Sequence, residues 1–147
     1  MKKQTLMIVA AVGFLIAMSA VSAFAQTTNL ANAQVPFDFN VNSKTLPAGK
    51  YTIAKPATNG VIIVRSGEKK SAAASLAATT TQATPATRLV FHRYGSQYFL
   101  AKIEVEGSNG LELPKTKAER NTAKQANERH LAKNNGEPEI VTVPASL

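Results

Sequence analysis

Cysteine and tryptophan are absent from this chain, aspartate occurs once, at Asp38, and histidine twice, at His92 and His130. Each shortage removes a class of chemistry. Without a thiol there is no disulfide framework, no zinc–thiolate centre, no cysteine nucleophile and no lipidated cysteine behind a leader peptide. Two histidines far apart in sequence fall short of a closed zinc site. A single aspartate leaves paired-carboxylate chemistry to scattered glutamates: Glu104 and Glu106 read as one exposed strand face, and Glu137 and Glu139 flank a proline near the end. No glycine-rich phosphate loop occurs either. The expectation is a non-enzyme, with no catalytic residue, no metal and no cofactor.

Long hydrophobic runs are also missing, except at the start. Lys2 and Lys3 precede the apolar block Leu6 to Met18, and Ala23-Phe24-Ala25 follows it, the three-part pattern of a secretory signal peptide cleaved after Ala25. The block is short for a membrane span. Removal of residues 1–25 from the 147 leaves 122, enough for one domain with its own core and no transmembrane segment. Export, to the periplasm or the medium, is therefore expected, with packing rather than disulfides holding the domain together.

Positive charge is plentiful. The chain has 17 Lys and Arg against 9 Asp and Glu; loss of Lys2 and Lys3 leaves 15 against 9, a formal +6. Such a surface favours anionic partners. Outside the cytoplasm these are anionic glycans and envelope components rather than nucleic acid, although positive charge also serves solubility.

The patterning is mostly that of β-structure. Residues 26–34 are polar and rich in Ala, Asn and Thr and read as a flexible leader, so the domain is expected over 35–147. "VPFDFNV" puts Val35, Phe37, Phe39 and Val41 on one face, a strand expected to pair in a hairpin with the strand opening at Tyr51. Asn59-Gly60 and Ser66-Gly67 mark turns around "VIIVR". A strand is assigned to Lys70–Ala78 and a loop to "TTTQATPAT". Pro114 suits a first helical position and Gly136 a stop, which predicts a helix over about 114–133, mostly solvated, with Ala118, Ala126 and Leu131 as a thin apolar stripe. "EIVTV" adds a last strand ended by Pro144. The fold class is mainly β, or α+β: a single antiparallel sheet or barrel-like domain of six to seven strands with one C-terminal helix.

The segment "RLVFHRYGSQYFLAKIEVEG", Arg88 to Gly107, is the richest in functional side chains. A two-residue turn at Gly95-Ser96 pairs Arg93 with Tyr98 and Phe91 with Leu100, which leaves both faces mixed. One extra turn residue instead groups Leu89, Phe91, Phe99, Ala101, Ile103 and Val105 inward and sends His92, Tyr94, Tyr98, Lys102 and Glu104 outward, and this register is preferred. His92, Arg93, Tyr94, Tyr98 and Lys102 then form a candidate binding surface of ring faces and donors.

The motifs "VPFDFNVNSKTLPAGKYTI" and "RLVFHRYGSQYFLAKIEVEGSNGLELPKTKAER" resemble a family of small secreted bacterial proteins of uncharacterised function. The resemblance covers nearly half of the chain after the leader. It implies an extracytoplasmic, mostly antiparallel β domain with a helix near its end, and it assigns no activity. Glu104 stands where such relatives often carry an aromatic or small apolar residue, which predicts that it is exposed here.

Three functions follow in order of preference: a non-enzymatic β domain binding an envelope or extracellular partner, a structural or assembly component of the envelope, and a hydrolase centred on His92. The third lacks a G-x-S-x-G context and an evident carboxylate to orient the base. His130, beside Arg129 on a polar helix, reads as a surface residue.

Overall fold

The computed structural model describes residues 27–57, 60–68, 70–128 and 137–147. The leader peptide, Asn59, His130, Leu131 and the expected helix end at Lys133 lie outside them. Among the described residues are eleven strands, rather than six or seven, and one helix. The strands are β1 (Thr27–Val35), β2 (Phe39–Val41), β3 (Lys44–Leu46), β4 (Gly49–Pro56), β5 (Val61–Arg65), β6 (Ala72–Leu76), β7 (Ala78–Ala83), β8 (Arg88–Tyr94), β9 (Gln97–Glu104), β10 (Asn109–Glu112) and β11 (Glu139–Ser146); the helix α1 (Lys117–Glu128) precedes β11.

The strands form one sheet that nearly closes into a barrel. Its continuous path runs β9, β8, β11, β1, β4, β5, β6, with every neighbour antiparallel. From β6 the chain passes through Ala77 into β7, which pairs with β10, and β10 pairs back onto β9. The short β2–β3 hairpin attaches to β9 in parallel at Asn40 and Phe99. Alternation along the strands then fills the interior with Ala31, Val35, Phe39, Ile53, Val64, Leu89, Phe91, Leu100, Ile103 and Val143.

Several expectations are corrected. Residues 27–35 are not a leader but β1, paired with β4 on one side and β11 on the other, with Ala31, Ala33 and Val35 buried. Alanine is a poor strand former, but a small side chain suits the interior of a narrow barrel, and burial overrides propensity. "VPFDFNV" is broken rather than continuous: strand structure stops at Val35 and resumes at Phe39. Between them Asp38 accepts a hydrogen bond from the Ala48 N–H, and Phe37 packs edge-on against Phe91 at 5.2 Å. The observed partner of Tyr51 is therefore Ala33 of β1, not residues 35–41, of which β2 instead turns back on β3 through Asn42 at φ 56°.

The strand expected over Lys70–Ala78 is shortened to β6, and the expected loop after it contains β7. The last strand does not end at Pro144; it continues to Ser146, with Pro144 opposite Arg88, where β8 begins. A proline is tolerated at such an extremity because its missing N–H interrupts no central rung. The helix starts later than expected. It begins at Lys117 because Thr116 caps it, its hydroxyl accepting the Glu119 N–H at 3.1 Å. Ala126 of the expected stripe is buried, whereas Ala118 is exposed.

The C-terminal strand thus closes the barrel between β8 and β1, the element most distant from it in sequence. Truncation of the chain before Glu139 is expected to abolish the cooperative thermal transition followed by circular dichroism; a truncated chain melting like the parent would contradict this topology. Phe91→Ala, at a fully buried position touching Phe37 and Phe39, is expected to cost about 3–5 kcal/mol in denaturant titration.

Candidate functional site

The β8–β9 hairpin combines both registers considered for it. Gly95, at φ 61°, and Ser96 make a two-residue turn that pairs Tyr94 with Gln97, Arg93 with Tyr98 and Phe91 with Leu100. Ala101 is then skipped, and Val90 pairs with Lys102 and Leu89 with Ile103. The preferred extra residue exists, but as a bulge within β9 rather than in the turn. That location overturns the expected grouping: Phe99 does not face inward, and Tyr98 does not join His92 and Tyr94.

The five candidate residues consequently fall into three places. His92 and Tyr94 lie beneath α1, where Tyr94 and Phe99 pack against Ala126 and Ala123. Arg93 and Tyr98 lie on the opposite face of the hairpin. Lys102 stands apart, its ammonium 3.8 Å from Glu104. Glu104, expected to be exposed, is buried and also pairs with Arg88. Two cations compensate its carboxylate, without which burial would be prohibitive.

Under the helix, Glu119 supplies the carboxylate that sequence reasoning did not find for His92. His92 Nδ1 donates to Glu119 Oε1 at 2.6 Å, and the Tyr94 hydroxyl donates to the same oxygen at 3.4 Å. The Glu119 side chain is only 4% exposed and that of His92 20%. Burial, followed by the Glu119 charge and its hydrogen bond, pushes the Tyr94 phenol up to about 12. A signal for this residue was present in "TKAE", Thr116 to Glu119, which has the spacing of a capping box. Its threonine arm is formed, while the glutamate turns inward to the sheet.

Chemically, His92 and Glu119 are an oriented base and its orienting acid, two of the three parts that nucleophilic catalysis needs. The third has no counterpart among the described contacts. Tyr94, the hydroxyl closest at hand, is held protonated, and Ser96 makes no hydrogen bond to His92. The trio is built to hold α1 on the sheet.

On the inner face an aromatic chain leads from core to surface. Tyr51 meets Phe39 at 5.0 Å, Phe39 meets Phe91 at 5.4 Å, Phe91 meets Phe37, and Phe37 stacks on Tyr98 with centroids 3.8 Å apart and planes 14° from parallel. The Arg93 guanidinium carbon stands 5.5 Å from the centre of the Tyr98 ring. Arg93 also donates to the Gly95 carbonyl at 2.8 Å and to Glu139 at 3.3 Å, yet its side chain keeps 39% of its exposure. Stacking and these bonds fix the guanidinium in advance of any ligand.

A groove of about 720 Å³ lies elsewhere, against β6, β7 and β10, and is lined by Leu76, Ala78, Thr80 and Leu113 among others. It includes none of the hairpin residues. No group of three or more His, Cys, Asp or Glu among the described residues could hold a metal ion, and no described helix is long and apolar enough to cross a membrane. No protein-family model, curated protein or solved structure matches the chain.

Two outcomes are expected at the helix contact. Tyr94 keeps its proton to higher pH folded than unfolded, so its share of stability is present below about pH 10 and is lost as pH rises toward 12. Melting temperatures across that window should fall less steeply for Tyr94→Phe than for the parent. Glu119→Ala is expected to cost about 3 kcal/mol by leaving its partners unmatched, and His92→Ala/Glu119→Ala clearly less than the two single losses combined. Strict additivity in urea titrations would refute the coupling.

Proposed function

We propose that this chain is an exported, non-catalytic β domain that binds an anionic envelope or extracellular partner. Export rests on the leader pattern of residues 1–25, on the resemblance of the two quoted motifs to small secreted proteins, and on a core that needs no disulfide. The observation that carries the binding role is the Arg93–Tyr98–Phe37 stack, a half-exposed cation and ring edge anchored to the core through Phe91. It offers a carboxylate, sulfate or phosphate the guanidinium donors that Gly95 and Glu139 leave over, with the edge of the Tyr98 ring beside them for a sugar.

The same geometry narrows the earlier surface. Arg93 and Tyr98 act together, while His92 and Tyr94 serve the helix and Lys102 serves Glu104. A hydrolytic role for His92 finds an orienting acid in Glu119 but no nucleophile within its contacts.

The decisive measurement is retention of the exported protein on its own envelope fraction and on anionic glycans over a salt series. Arg93→Ala/Tyr98→Ala is expected to weaken retention several-fold with the melting curve largely preserved, whereas His92→Ala should change stability more than binding. Retention independent of salt, or unchanged in the double variant, would remove the hairpin from the binding role.

A further inference from the structure

Helix α1 has two chemically different faces. Taking 100° per residue, Glu119, Ala123 and Ala126 fall within about 60° of one another and face the sheet; Glu119 and Ala126 are its buried residues, and Ala123 packs with Ala126 on Tyr94 and Phe99. Lys117, Arg120 and Lys124 fall within a similar arc centred about 120° away, and all three are exposed. None has an acidic partner among the described residues. The one acid in the first turn, Glu119, is turned inward to His92 and Tyr94. Lys115, just before the helix, is exposed as well, and Glu128, one turn beyond Lys124, bounds the stripe.

We infer that this outer face of α1 is a docking surface for a linear acidic polysaccharide. The inference rests on the anionic-partner reading above and gives it a second surface and a substrate class. Successive cations rise by about 4.5 Å and 6 Å along the helix axis, each step within the Debye length of about 8 Å at physiological ionic strength. Three charges so spaced act as a unit on a chain bearing one carboxylate per sugar ring. A lipid surface fits less well, because the side chains that share the outer surface, Ala118, Asn121 and Gln125, include no large apolar group to enter the bilayer. The docked helix also presents its cations rigidly, since Glu119 and the Thr116 cap hold its first turn.

The test uses the full exported chain and immobilised alginate, a linear polyuronate, with neutral dextran, phosphatidylglycerol/phosphatidylcholine vesicles and duplex DNA as comparison probes. The parent is expected to bind alginate with strong salt dependence and to ignore dextran. Lys117→Gln/Arg120→Gln/Lys124→Gln should weaken alginate binding roughly ten- to a hundredfold and flatten its salt dependence, with an unchanged melting curve because these side chains contact nothing inward. A charge-matched control, Lys44→Gln/Arg65→Gln/Lys70→Gln, alters exposed cations elsewhere and should have a much smaller effect. Equal loss in both triple variants would overturn the helix surface while leaving a general electrostatic role. Loss only in Arg93→Ala/Tyr98→Ala would overturn it in favour of the hairpin. Tighter binding to vesicles or DNA than to alginate would overturn the polysaccharide assignment, and failure of the parent to bind any anionic probe would overturn both readings.

Discussion

The β8–β9 pair carries one residue more on β9 than on β8, and the position of that residue, Ala101, decides what every side chain of the hairpin meets. A side-chain period of two means that one inserted residue exchanges the faces of everything beyond it. Between the turn and the bulge, Phe91 and Leu100 point into the barrel while His92, Tyr94 and Phe99 point out. On β8, Leu89 keeps the inward face of Phe91, and beyond the bulge Ile103 of β9 regains the interior, which it could not do if the pairing of the tip continued unbroken. The tip and the base of one hairpin thus serve the same core in two registers.

That arrangement creates the seat for α1. A helix with so little apolar surface gains little by burial, and its two buried side chains are an alanine and a glutamate. The glutamate would be costly in such a place without the donors that the bulged hairpin brings outward at His92 and Tyr94. Polar pairing of this kind fixes rotation and register more sharply than it adds stability, because any other face of α1 turned toward the sheet would leave Glu119, His92 and Tyr94 mismatched. The helix therefore has one orientation, and its cations have one direction.

Much of this was legible in sequence. Strong period-two runs and glycine turns announced β4, β5, β8 and β9, and the formers between Pro114 and Gly136 announced a helix. What escaped had physical causes. In β1 and β7 the residues are Ala, Thr, Asn and Gln, whose polarity says loop until neighbouring strands supply burial and rungs. Two of the site's features depended on pairings invisible to local pattern. The bulge could be placed in the turn or in the strand with equal local consistency, and the acid that meets His92 stands 27 residues away. Glu104 misled because an acidic residue alternating with apolar ones reads as exposed, unless the opposite strand happens to place Arg88 beside it.

The acids of the chain are not all engaged alike, and their partners decide which cations keep a counter-charge. On the sheet, Glu68 faces Lys50, Glu104 faces Arg88 and Lys102, and Glu139 faces Arg93. These pairs are weak where exposed, and they leave Lys44, Lys55 and Arg65 of the strands outside any described ion pair. Glu119 is consumed differently: its partners are His92 and Tyr94 on the sheet, not a Lys or Arg. The helix has therefore lost its first-turn acid from the outer face without any of its own cations being engaged in return. Burying one carboxylate to orient α1 is the step that leaves Glu128 as the one exposed acid of the helix beside Lys117, Arg120 and Lys124, so the contact that fixes the helix also sets the sign of the surface it displays.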